Sequence, residues 1–414
     1  MEKKIEITNI EKGVGYATIN FVYSDSLSQY FRYSKFIIES DIDFNLVPDS
    51  IIKVPFVCNV LPIIWLTDTT LVTGKLDQNF YDSIDAIKQG YMQMYPMLDF
   101  KGCIKCQTEN NATQPSEKTL CLFSGGVDAC TTALRHLQEP MILMSVWGSA
   151  DHPLDDWQGW EMHERNLIEI ANNFGKQLIT LRSNFYTFID NWGNLNRLIN
   201  ASGESWWHGF QHGIGLISLA APIAFLQNVR TVYIAASFTK GEKVTCASDP
   251  TIDNNLKFNN TNVVHDGYEL TRQEKVAYLV HKAGDIRIPM HVCLRPYQNE
   301  QNNCCKCEKC YRTILAILAE GGNPANFGFR NDLINTNRII SDIKYRLDIS
   351  YPQFYLAIQN AIKENAQLIS DKTLLDFAKY PNDKINNNFL KRLRQKIEKS
   401  RIHPILIKLL HWIK

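Results

Sequence analysis

The stretch Leu120-Cys121-Leu122-Phe123-Ser124-Gly125-Gly126-Val127-Asp128-Ala129 sets the architecture expected of the whole chain. Four apolar residues run into a Ser-Gly-Gly turn, and helix-forming sequence follows over 129–137. A short apolar run bounded by glycines reads as a buried strand. Gly125 and Gly126 can take φ > 0, which lets successive backbone N–H groups line a concavity. That concavity lies at a helix N-terminus, where orphan amides and the macrodipole favour an anion. Strand, turn and helix together predict a phosphate site.

From residue 119 onward the pattern alternates between strands and helices. Strands are expected at 120–123, 141–147, 177–181 and 231–236. Helices are expected after Asp128 and over 157–174, 185–199 and 207–226. Alternation at this spacing predicts βαβ units and a parallel sheet. Ligands in such sheets bind beyond the carboxyl ends of the strands. The Ser-Gly-Gly turn, residues 148–151 and residues 237–240 should therefore share one rim.

The kind of phosphate site can be narrowed. A Walker loop needs Gly-x-x-x-x-Gly-Lys-Ser/Thr, a dinucleotide fingerprint needs a third glycine, and neither is present. Ser124-Gly125-Gly126-Val127-Asp128 resembles the PP-loop of the ATP pyrophosphatase superfamily, whose enzymes split ATP into AMP and pyrophosphate. The family pattern continues with a serine where this chain has Ala129, one hydroxyl fewer in the cradle. The resemblance implies an α/β PP-loop (adenine nucleotide alpha hydrolase-like) parallel sheet with helices on both faces. It also implies ATP and Mg²⁺ bound by Ser124, Gly125, Gly126, Val127 and Asp128, with adenosine against the loop of Trp147 and Gly148. Ser124 and Asp128 are the candidate catalytic residues, with Asp128 holding Mg²⁺. Lys240, Lys243 or Arg312 is expected to assist, and Lys240 is the candidate taken forward.

A second signal lies downstream. Five of the chain's eleven cysteines fall between Cys293 and Cys310. Cys304, Cys307 and Cys310 form two overlapping C-x-x-C pairs, and Cys293 adds a fourth sulfur. Four thiolates at such spacing can close a tetrahedral Zn²⁺ site, with an iron–sulfur cluster as the competitor. A PP-loop followed by this cluster and by Arg312-Thr313 resembles the 7-cyano-7-deazaguanine synthase family and its longer relatives in bacterial antiviral operons of the CBASS and Qat type. The likeness covers roughly 119–319. Cys305 stands where that family has glycine. His163-Glu164-Arg165 resembles a basic stretch of the same family, although a solvated helix face explains it as well.

The flanks carry less chemistry. Residues 1–110, with strand-like runs at 5–10, 15–23 and 51–65 and a helix at 79–95, read as a small N-terminal α+β domain. Cys103 and Cys106 read there as two reduced thiols in a loop. Residues 110–118 read as a linker, 119–320 as the PP-loop domain with its four-cysteine zinc knuckle, and 321–414 as a helical C-terminal region. Residues 391–414 hold eight Lys or Arg against the single Glu398, a basic tail that suits an anionic partner or a solvated helix face. His208 and His212, one turn apart, are candidates for metal binding, capping or substrate contact. Ser248-Asp249-Pro250 is a candidate substrate element, and His265 and Asp266 face a pocket or form a turn.

Composition excludes some classes. A hydrophobic content of 45% with 11% aromatics suffices for a core, and a net charge of +1 gives no steer toward nucleic acid or membrane. No signal-peptide h-region opens the chain, no stretch is read as transmembrane, and cysteine usage fits a reducing compartment, so a cytoplasmic protein is expected. The function expected from the resemblance is adenylation of a 7-deazapurine carboxylate for attack by a nitrogen nucleophile, with a protein or nucleic-acid acceptor and a homodimer both compatible. Two alternatives stand beside it. One is a PP-loop tRNA-modifying enzyme using Cys130 or Cys246, and the other is a catalytically decayed nucleotide-binding subunit.

Overall fold

A computed structural model describes residues 3–111, 116–242, 244–293, 303–349 and 351–387. Lys243 and the basic tail 391–414 lie outside the described residues, as does part of the linker. By compactness the chain divides between Thr271 and Arg272.

The first unit is built on one ten-stranded sheet, as seen in the described residues. Its strands are β1 (Lys4–Tyr23), β2 (Lys35–Asp43), β3 (Thr70–Asp77), β4 (Cys103–Glu109), β5 (Thr119–Leu122), β6 (Met141–Trp147), β7 (Gln177–Ser183), β8 (Thr231–Ala235), β9 (Lys257–Phe258) and β10 (Thr261–Asp266). They lie in the order β4-β3-β1-β2-β7-β6-β5-β8-β10-β9. The run β7-β6-β5-β8-β10 is parallel throughout. Successive crossovers carry the chain from β5 outward to β7, and then back past β5 to β8. The direction of winding thus reverses between β5 and β8, and such a switch point opens a crevice beyond the strand ends. The α/β parallel core expected from the alternating pattern is present.

The first hundred residues form the flank of this same sheet. β2 pairs antiparallel with β7, with Ile38 opposite Ser183 and Ser40 opposite Leu181, and β1 pairs with β2 and β3. The boundary expected near 110 therefore falls inside a continuous sheet, and the one near 320 falls inside the second unit. Edge pairing between strands so distant in sequence leaves no local mark. The two runs at 5–10 and 15–23 are one bent strand, with Gly15 at φ +88° and a register shift at its bend.

Helices in this unit are α1 (Asp49–Thr67), α2 (Gln78–Met94), α3 (Val127–Arg135), α4 (Trp157–Phe174), α5 (Asn194–Leu198), α6 (His212–Ser218), α7 (Ala221–Gln227) and α8 (Pro250–Asp253). α1 replaces the strand expected at 51–65. It is buried on nearly every face, so it lacks the polar stripe that would have given a helical period. Most of the helix expected over 185–199 is irregular, with only α5 formed, and a π-turn, Trp207–Gln211, leads into α6. The stretches Asp49–Thr67 and Trp207–Gln227 are long and apolar enough to cross a membrane by length and composition. However, 94% and 78% of their apolar windows are buried inside the fold, which accounts for their composition.

The second unit is helical in its described residues: α9 (Arg272–Lys282), α10 (Glu308–Ala319), α11 (Thr336–Tyr345), α12 (Pro352–Glu364), α13 (Lys372–Phe377) and α14 (Lys384–Asn387). The Glu320 carboxylate joins several of its elements. It accepts from Gln273 at 2.6 Å, His281 at 3.1 Å and Asn365 at 3.2 Å. A buried carboxylate persists when its lone pairs are matched in this way.

Candidate active site and metal centre

At the carboxyl ends of β5, β6 and β8 lies a cleft of about 260 Å³, near the lower end of small-molecule sites at ~300 Å³. Ser124, Asp128 and Ala129 border it from the first loop, Ser149 and Asp151 from the second, and Ser237 from the third. The rim expected of the three loops is thus assembled at the switch point.

The local sequence explains the first wall. Gly125 takes φ +68°, and a Cβ there would meet Leu167 at 2.9 Å. Gly126 is extended and forms the N-cap of α3, with no side chain capping the first-turn amides. Asp128 sits in that first turn, half-buried, with its carboxyl beside the dipole's positive end. Ala129 contributes only a methyl to the same wall.

The second wall depends on Gly148. Its φ is +115°, and its N–H donates to the His152 carbonyl at 2.9 Å, closing the loop over 148–152. Trp147 lies outside the cleft lining. Its ring stacks on Trp160 at 5.6 Å, Arg182 covers it at 5.2 Å, and its Nε1 donates to the Pro153 carbonyl at 3.0 Å. Gly148 is likewise not among the residues lining the cleft, to which the loop contributes Ser149, Asp151 and His152. His163, from the basic stretch on α4, is buried and borders the cleft with its ring stacked on His152 at 3.9 Å. Burial lowers the His152 pKa, against the charges of Asp151 and Asp156.

Other sequence candidates are placed elsewhere. Lys240 is exposed, its backbone N–H bonded to the Tyr268 carbonyl at 2.8 Å, and it is not among the residues lining the cleft. Arg312 belongs to the second unit, over the Phe354 ring at 4.5 Å and 3.6 Å from Glu308. His208 pairs with Glu204 at 2.8 Å, while His212 borders the cleft, so the two histidines do not form one metal site. Asp249 caps α8 through the Thr251 N–H, and Ser248 donates to Asp253 at 2.8 Å. His265 and Asp266 are in β10 rather than a turn. His265 is sealed against Asp253 at 2.8 Å, and Asp266 is held by Thr132 at 2.8 Å and His136 at 3.1 Å. Cys103 and Cys106 lie on strand β4 rather than in a loop. His152 is the cleft residue that the sequence left unmarked, its one signal being its place just after β6.

In the second unit Cys293, Cys304, Cys307 and Cys310 bring their sulfurs within 4.8 Å of one another, the one such metal-type group among the described residues. The Cys293–Cys307 and Cys304–Cys310 separations are 3.8 and 3.9 Å. A metal bound at about 2.3 Å to four sulfurs at tetrahedral angles requires edges of about 3.8 Å. The cluster therefore fits a single tetrahedral ion such as zinc, whereas a multi-iron core would need the sulfurs spread further apart. Cys307 is the N-cap of α10, which places Cys310 in the helix's first turn. Hydrogen bonds from the other three thiols hold the Cys304 pKa well below its usual value. Cys305 stays out of the group. It is buried at φ +50°, with its thiol toward the Asn303 carbonyl.

Comparison with protein-family models, with curated proteins and with solved structures finds no match for this chain.

Proposed function

We propose that the cleft is the ATP site of a PP-loop, AMP- and pyrophosphate-forming enzyme. It adenylates a carboxylate, that of a 7-deazapurine by the resemblance, for attack by a nitrogen nucleophile. The observation that carries this reading is the Ser124–Asp128 turn at the switch point, bordering a cleft between β5 and β8.

The chemistry suits these residues. A carboxylate resists nucleophiles until one of its oxygens becomes a leaving group, which transfer of AMP achieves. The α3 N-terminal amides and the Ser124 hydroxyl would bind the β- and γ-phosphates, leaving the α-phosphorus open to the incoming carboxylate. Asp128, with Asp151 also on the cleft, offers the oxygen donors a hard cation prefers, and Mg²⁺ held there would supply charge neutralisation for departing pyrophosphate. Zn²⁺ in the four-cysteine group would be structural, since all four positions are filled by protein sulfur. An acceptor on a protein or nucleic acid, and a role in antiviral defence, extend the reading along the same resemblance.

Of the alternatives, the decayed binding subunit has one observation in its favour, the Ala129 methyl on the cleft wall. A thiolation enzyme would need a reactive thiol at this site, and the described residues lining the cleft include no cysteine. Cys130 and Cys246 are both buried, and burial pushes the Cys246 thiol up to about 12. Calorimetric titration with ATP–Mg²⁺ tests the site. Asp128→Asn should weaken binding roughly 10-fold or more, the order set by losing one charged contact. Equal affinities would reject the assignment.

A further inference from the structure

Four histidines outside the cleft are each held by carboxylates: His136 by Glu139 and Asp266, His208 by Glu204, His265 by Asp253 and His281 by Glu320. Two on the cleft wall, His152 and His163, are stacked on each other. His212 has neither arrangement. Its ring borders the cleft and meets Trp207 edge-on at 5.1 Å, and its Nδ1 is buried with no hydrogen-bond partner among the described residues. A buried ring nitrogen left unmatched costs free energy, and a site that keeps one calls for an explanation. His212 is also the first residue of α6, delivered there by the π-turn Trp207–Gln211, a local irregularity frequent at functional sites.

We propose that His212 accepts the proton released when the nitrogen nucleophile attacks the activated carboxylate. The inference rests on the adenylating reading given above. The amine nitrogen forms a bond to the acyl carbon and becomes positively charged. Until its proton leaves, expulsion of the amine competes with expulsion of AMP. Transfer of that proton to the His212 imidazole commits the adduct. The acyl C–O bond to AMP then breaks, giving amide, AMP and an imidazolium that releases its proton to solvent. Burial favours the neutral ring, which is the accepting form. By lowering the His212 pKa, with Asp151 opposing and His208 and His265 adding, burial leaves the resting ring neutral and open to a proton.

The test uses the full chain with ATP–Mg²⁺ and 7-carboxy-7-deazaguanine, comparing the parent with His212→Asn. ATP–pyrophosphate exchange reports adenylation alone, and ammonia-dependent AMP release reports the complete reaction. Exchange should persist in the variant while ammonia-dependent turnover falls roughly 100-fold, the usual size of a general-base contribution. Hydroxylamine, whose adduct sheds its proton to water more readily than that of ammonia, should restore much of the loss. Equal losses in exchange and turnover, or no loss in either, would overturn the role of His212 and leave the adenylating reading intact. Absence of exchange in the parent chain would instead remove that reading, and this inference with it.

Discussion

A Cβ built on Gly148 would stand 1.9 Å from the Ser183 carbonyl oxygen, so the turn after β6 closes directly against the end of β7. This contact, together with φ +115°, makes glycine a requirement at position 148. It also fixes where Ser149, Asp151 and His152 stand on the cleft.

Gly148→Ala should therefore destabilise the protein by about 1–3 kcal/mol, the cost of one strained backbone position, and more if β7 must shift. Urea denaturation measures this. Gly175→Ala is the control, because its left-handed φ of +62° carries strain with no atom within 4 Å of the added Cβ. If the two variants lose equal stability, the Ser183 contact is not the cause.

The metal centre predicts one ion per chain, removed by Cys310→Ala and retained by Cys305→Gly. Cys310 is buried within the four-sulfur group, whereas Cys305 is turned away at a φ that glycine adopts without strain. Elemental analysis of the purified variants checks both. Loss of the ion from Cys305→Gly would mean that the fifth cysteine is a ligand.

Stability should depend on pH through His136, which lies between Asp266 at 3.1 Å and Glu139 at 2.7 Å. The Asp266 hydrogen bond, opposed by burial and supported by Glu139, raises the His136 pKa above its usual value. Its contribution is full below the unfolded pKa of about 6.5 and is lost as pH rises through the folded value. Asp266 behaves oppositely. Burial raises its pKa, but hydrogen bonds from His136 and Thr132 and the Arg135 charge outweigh it, so the folded value is depressed. That contribution is present above the unfolded value of about 3.9 and is lost as pH falls through the folded one. Urea midpoints should decline as pH rises from about 6.5 through the folded His136 value in the parent chain and decline less in His136→Gln. Parallel curves would contradict the assignment.

Sequence and structure agree most closely where one period dominates. The run at 141–147, apolar but for Ser145, is β6, and the amphipathic helix at 157–174 is α4, because each side chain's burial there follows from its own element. α1 is misread because it is buried on nearly every face and carries Pro55 and Pro62, which read as helix breakers. β10 is missed because its buried Thr261, His265 and Asp266 are satisfied by partners remote in sequence. The Ser-Gly-Gly turn is legible as a local motif of strand, glycines and helix. The histidine wall is not, since His152, His163 and His212 meet only through tertiary packing.

The most direct test of the central claim is product analysis with ATP–Mg²⁺ and 7-carboxy-7-deazaguanine, with and without ammonia, for the parent chain and Asp128→Ala. The parent should release AMP and pyrophosphate in equal amounts, and the variant should lose both. Release of ADP and phosphate, or no AMP from a folded, metal-loaded parent chain, would contradict the claim.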